Sequence, residues 1–165
     1  MGAGYYLHCP VCGYEADVSL GFGFLYPLVY QETQEDAKNG KLGATLKKFY
    51  AQHPDGAVNP TLALAQCEKC GKYTSVPDYT MYLPKAGKQK KPPKGRWSVA
   101  MPFEGAEYVA PHEFEEAFDV YKLFPHRCGS CRGKVKLLPE KEIDHLKCPH
   151  CDNQILTVQE ICLWD

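Results

Sequence analysis

Cys9-Pro10-Val11-Cys12-Gly13-Tyr14 is the stretch on which the reading of this chain turns. Two cysteines three residues apart bring both sulfurs toward one point when the chain makes a tight turn between them. A small residue after the second cysteine lets backbone N–H groups face the sulfurs. The pattern recurs at Cys67-Glu68-Lys69-Cys70-Gly71, at Cys128-Gly129-Ser130-Cys131 and at Cys148-Pro149-His150-Cys151. Gly13, Gly71 and Gly133 suit such turns, and Asn153 tolerates a left-handed backbone in the fourth.

Eight of the nine cysteines fall into these four knuckles, an order that scattered thiols do not produce. Two knuckles complete a tetrahedral four-thiolate site, which zinc occupies with metal–sulfur distances of about 2.3 Å. Eight ligands therefore predict two ions: Cys9, Cys12, Cys67, Cys70, Cys128, Cys131, Cys148 and Cys151. The simplest grouping is sequential, with the first two knuckles on one ion and the last two on the other. An interleaved grouping is the alternative. Tetrahedral sulfur ligation suits iron as well as zinc, so iron is the second candidate metal.

The 165 residues are enough for one ordinary domain or two small ones. With Gly 14 and Pro 13, long periodic segments are few, and small cores usually need a metal or disulfide staple. No secretory signal or membrane span is legible, so the expectation is a cytoplasmic protein whose thiols stay reduced. The formal net charge is −1, and eight thiolates around two divalent ions make the total more negative. That balance does not favour general nucleic-acid binding, although a local basic patch can act alone.

One such stretch lies at 85–103, where Lys85, Lys88, Lys90, Lys91, Lys94 and Arg96 meet no acid. Pro84, Gly87, Pro92, Pro93 and Gly95 rule out a helix there. It reads as a basic linker or loop between residues 1–84 and 104–165. In the first half, Val18, Leu20, Phe22 and Phe24 alternate as one face of a strand. Pro27 opens a helix that Asn39-Gly40 stops, and Leu42 to Gln52 forms a second. Thr61–Gln66 and Tyr73–Leu83 are extended. In the second half, Trp97 to Phe103 alternates as a strand, Pro111 to Phe124 reads as a helix, and Lys134–Leu138 and Ile155–Trp164 as strands.

Both halves thus look like zinc ribbons. The second, over about 124–165, resembles a plain one. The first, with Cys-Pro-Val-Cys-Gly-Tyr, Leu20-Gly21-Phe22-Gly23 and Tyr26-Pro27, is similar to small bacterial zinc-ribbon proteins of undefined function over about residues 5–84. The resemblance implies metal binding and a fold, and no activity. The Cys12-Gly13-Tyr14 knuckle also resembles rubredoxin, which implies iron and electron transfer. The 54-residue insert between the first two knuckles departs from that family's compact spacing.

The remaining polar residues have plainer readings. Cys162 reads as a buried small apolar residue. His8, His126 and His150 adjoin knuckles whose ligand count is already complete, and read as outward-facing loop residues. Glu104, Glu107, Glu113, Glu115, Glu116 and Asp119 solvate a helix or dock onto the basic stretch. No nucleophile elbow, phosphate loop or zinc-protease histidine pair occurs, and a site filled by four cysteines leaves no place for substrate. The expectation is a small metal-stabilised α+β protein with two zinc ribbons, short antiparallel strands and a helical insertion in the first. Its expected function is a non-catalytic interaction or adaptor module with a protein partner. The alternatives are a rubredoxin-like iron carrier and a nucleic-acid-binding regulator that uses the basic stretch.

Overall fold

The computed structural model describes residues 2–86, 108–151 and 154–164. It is an α+β structure in which, among the described residues, every strand pair is antiparallel. Its contacts resolve into two compact units that do not follow the two halves of the chain. Unit 1 comprises 1–23, 61–78 and 125–165, and unit 2 comprises 24–60 and 79–124. The expected division into 1–84 and 104–165 differs from this, because each half contributes to both units.

Unit 1 holds two three-stranded sheets. In the first, β1 (Gly2–His8) lies between β2 (Glu15–Leu20) and β9 (Thr157–Trp164). In the second, β4 (Leu62–Cys67) lies between β5 (Tyr73–Pro77) and β8 (Val135–Leu138). Period-2 alternation puts Val18 and Leu20 of β2 inward, where each is 2 % exposed. They join Leu7, Leu64, Tyr73, Ile143, Leu146 and Leu156 in one core, and Cys9 and Cys148 are part of it. Burying side chains of this size contributes roughly 1.5–3 kcal/mol each. The alternation does not run on to Phe24 as expected. Gly21 adopts φ 85°, ends the strand, and exchanges two backbone hydrogen bonds with Leu62. Phe24 belongs to unit 2 and is exposed.

Unit 2 carries the helices α1 (Tyr26–Asn39) and α2 (Ala44–Gln52). α1 begins one residue before Pro27 and ends at Gly40, whose φ of 85° allows the Lys41 N–H to close on the Asp36 carbonyl. Ala37, Leu46, Phe49, Tyr50, Val58 and Met81 form its core. Its sheet sets β6 (Met81–Pro84) between β3 (Ala57–Val58) and β7 (Phe118–Lys122). The helix expected over Pro111–Phe124 is therefore corrected. Only α3 (Glu113–Ala117) is helical, and from Phe118 the chain pairs with β6 instead. Phe114 and Phe118 are both buried, at a spacing that helix and extended chain share, so the pattern does not separate them. The extended run Tyr73–Leu83 likewise divides, with β5 in unit 1 and β6 in unit 2. The strand expected at Trp97–Phe103 and most of the basic stretch lie outside the described residues.

Candidate metal centres

The knuckles share one backbone design. The first cysteine's carbonyl accepts the N–H of the residue four positions on: Gly13 to Cys9 at 3.0 Å, Gly71 to Cys67 at 2.9 Å and Arg132 to Cys128 at 2.9 Å. The first cysteine's own N–H reaches past the turn, to the Tyr14, Lys72, Gly133 and Gln154 carbonyls in the four knuckles. The position after the second cysteine is left-handed in three of them, at Gly13 (φ 71°), Gly71 (φ 72°) and Arg132 (φ 56°). Arginine thus occupies the position expected of glycine in the third knuckle. Gly133, one residue later, is needed for another reason. A Cβ there would stand 2.6 Å from the Lys69 Cβ, 3.1 Å from the Cys67 sulfur and 3.2 Å from the Cys131 sulfur. Asn153 of the fourth knuckle lies outside the described residues.

The eight thiols converge in two tetrads, and the expected sequential grouping is corrected. Cys9, Cys12, Cys148 and Cys151 form one, and Cys67, Cys70, Cys128 and Cys131 the other. The grouping is nested: first knuckle with fourth, second with third. Strand pairing dictates it. The first knuckle follows β1 and the fourth precedes β9, whose register sets His8 opposite Thr157. The second knuckle ends β4, and β8 pairs Val135 with Cys67 just after the third.

The geometry fits a tetrahedral ion. Within each tetrad all sulfurs lie within 4.8 Å of one another. Cys9–Cys151 is 4.0 Å, Cys12–Cys148 3.5 Å, Cys67–Cys131 3.4 Å and Cys70–Cys128 3.8 Å. Four sulfurs about 2.3 Å from a central ion stand roughly 3.8 Å apart. No disulfide joins these cysteines. Backbone N–H groups face the sulfurs: Cys67 Sγ accepts from Lys69 and Cys70 at 3.4 and 3.5 Å, and Cys148 Sγ accepts from His150 at 3.4 Å. The Cys70 N–H, helped by that of Lys69, holds the Cys67 thiol down, to about 6. The Cys151 thiol is pushed up to about 12, first by its contact with Cys12 and then by burial. Such a tetrad sheds protons as it takes up a cation.

Both tetrads sit in unit 1, and two tyrosines tie them together. Tyr14, two residues after Cys12, accepts the Tyr73 N–H on its hydroxyl at 3.0 Å. The Tyr73 hydroxyl donates to the Lys147 carbonyl, beside Cys148, at 2.9 Å. Burial is the main cause that raises both phenols above their usual range. The Tyr14 ring also meets His150 edge-on at 5.3 Å. These links are not written in residue spacing. The one trace in the chain is that Pro10 and Pro149 mark the two knuckles that prove to be partners.

The histidines separate. His150 is exposed and His8 half-buried, while His126 is buried and donates from Nε2 to the Asp78 carbonyl at 2.9 Å. The outward-facing expectation thus fails for His126, whose ring serves the fold. Cys162 is exposed rather than buried. It faces Gly4 across β1 and β9, where a Cβ would come within 2.7 Å of its sulfur. Among the acids, Glu113 accepts the Ala110 N–H on its carboxylate at 2.7 Å, and Lys85 donates to the Glu115 carbonyl at 2.7 Å. Among the described residues, no helix is long and apolar enough to cross a membrane.

No family model, no curated protein and no solved structure matches this chain.

Proposed function

We propose that this protein is a zinc-binding, non-catalytic interaction module with two structural four-cysteine sites, built as two zinc-ribbon-like knuckle pairs and working in the cytoplasm. The observation that carries the reading is the set of four sulfur–sulfur separations between 3.4 and 4.0 Å, close to the edge of a zinc–thiolate tetrahedron. Cys9, Cys12, Cys148 and Cys151 would hold one ion, and Cys67, Cys70, Cys128 and Cys131 the other. Each ion would supply charge and cross-linking. With all four positions taken by thiolates, neither offers a vacant position for water or substrate. A bound ion would also offset the cost of burying the Cys9 and Cys148 sulfurs in an apolar core.

The test is elemental analysis and optical absorption of the protein purified without added metal. Two equivalents of zinc in a colourless preparation are expected. A visible iron–thiolate absorption would replace the reading with an electron carrier, and a metal-free folded protein would overturn it.

A further inference from the structure

The two tetrads differ in what surrounds them. The knuckles and adjoining hairpin of the second, residues 66–72 and 126–138, carry Lys69, Lys72, Arg127, Arg132, Lys134 and Lys136 against one acid, Glu68. All six cations are exposed, and among the described residues none has an ion-pair partner. The knuckles of the first tetrad, residues 8–15 and 147–154, carry Lys147 against Glu15 and Asp152. Four thiolates around a dication leave the same negative charge at both sites. Neutralising it would call for cations at both, so site chemistry does not account for a cluster at one.

The cluster has a structure. Arg127 and Lys134 stand directly opposite each other across an antiparallel bridge. Like charges in that position destabilise a hairpin. Lys136 follows Lys134 by two residues and so shares its face. Lys69 presses against Gly133, between Arg132 and Lys134. The turn and hairpin therefore hold the charges on a rigid frame, at a cost to the fold's own stability.

We infer that this face of the second tetrad binds the phosphate backbone of a nucleic acid. The inference rests on the metal-stabilised reading above and names the partner class that the module engages. Arginine guanidinium and lysine ammonium groups at fixed spacing suit phosphate oxygens. Protein interfaces and membrane surfaces need apolar or aromatic anchors as well. None of the exposed large apolar side chains, which include Val11, Val120, Ile155 and Leu163, falls within these segments. The surface differs from the basic stretch at 85–103, and the two can be tested apart.

The experiment titrates the whole metal-loaded chain with labelled single-stranded and duplex oligonucleotides over a salt series, with metal content measured on the same sample. The expected result is saturable binding that weakens steeply with salt. Arg127→Gln with Lys134→Gln and Lys136→Gln should lower the log–log salt slope by about 2–3, roughly one for each lost phosphate contact. This variant should keep two metal equivalents and melt at the same temperature as the parent or higher, because the opposed like charges are gone. Gln at Lys88, Lys90, Lys91 and Lys94 should leave the slope nearly unchanged. No binding by a protein with two metal equivalents would overturn the inference and spare the metal reading. Binding unmoved by the hairpin substitutions, or equally strong capture of polyglutamate or anionic phospholipid vesicles, would also overturn it. Oligonucleotide binding by a metal-free chain would sink the metal reading alone.

Discussion

Gly71 and Pro149 meet so closely that a Cβ on Gly71 would lie 2.6 Å from the Cβ of Pro149. Gly71 follows Cys70 of one tetrad, and Pro149 follows Cys148 of the other. The two candidate metal centres thus touch through their turns as well as through Tyr14 and Tyr73. Gly71→Ala should therefore disturb both. The left-handed backbone at φ 72° costs an alanine about 1–2 kcal/mol, and the clash about 1–3 kcal/mol more. Chelator challenge should release metal from both tetrads faster than in the parent. Faster release from the Cys67 tetrad alone would show that the contact does not couple them.

The nested grouping predicts an arithmetic that the sequential one does not. Cys67→Ser combined with Cys128→Ser removes two ligands from a single tetrad and should lower the metal content by one equivalent. Under sequential grouping the same pair would strike both sites and abolish both. Structural zinc contributes about 10–16 kcal/mol in small peptides, more than most domains hold in reserve, so either loss is visible in the melt. Metal content by mass spectrometry of the folded chain decides between them.

Gly133 and Gly129 lie in the same knuckle region, yet only Gly133 should be sensitive to an added methyl. Gly133→Ala forces a methyl against the Cys67 and Cys131 sulfurs and the Lys69 Cβ. Metal affinity at that tetrad should fall about 10–100-fold, the usual range for disturbing the surroundings of metal ligands. Gly129 has nothing within 4 Å of the position its Cβ would take. Gly129→Ala should stay within about 0.5 kcal/mol of the parent. Competition with a coloured zinc chelator measures both, and equal effects would remove the packing argument.

Tyr30 and Tyr50 in unit 2 set an alkaline limit. Burial, the first cause for each, lifts both phenols far above 10.0. A raised folded-state value means that stability is full below about pH 10, the unfolded value, and falls as pH rises above it. The Tyr50 hydroxyl also donates to the Gln34 Oε1, which accepts the Val58 N–H as well. Tyr50→Phe should cost about 1 kcal/mol at neutral pH and reduce the decline above pH 10. Urea unfolding followed by helical circular dichroism on both sides of that pH provides the check, and an unchanged alkaline slope would exclude Tyr50 as its source.

Spacing along the chain was enough to find all eight thiols, because each knuckle closes over six or seven residues and needs only its own turn. Val18 and Leu20 and the start and stop of α1 were legible for the same reason: alternation, Pro27 and Gly40 act locally. The partner of each knuckle was not legible. It depends on β1 meeting β9 and on β4 meeting β8, and such strand pairings span more than half the chain or skip the whole of 79–124. Linear distance favoured first with second and third with fourth, while backbone hydrogen bonding and burial of one apolar face chose first with fourth and second with third. The switch from helix to strand at Phe118 had the same origin, since β6 offered an edge that no local pattern announces. Residue type thus marked the eight candidate thiols, and tertiary pairing decided which four of them meet.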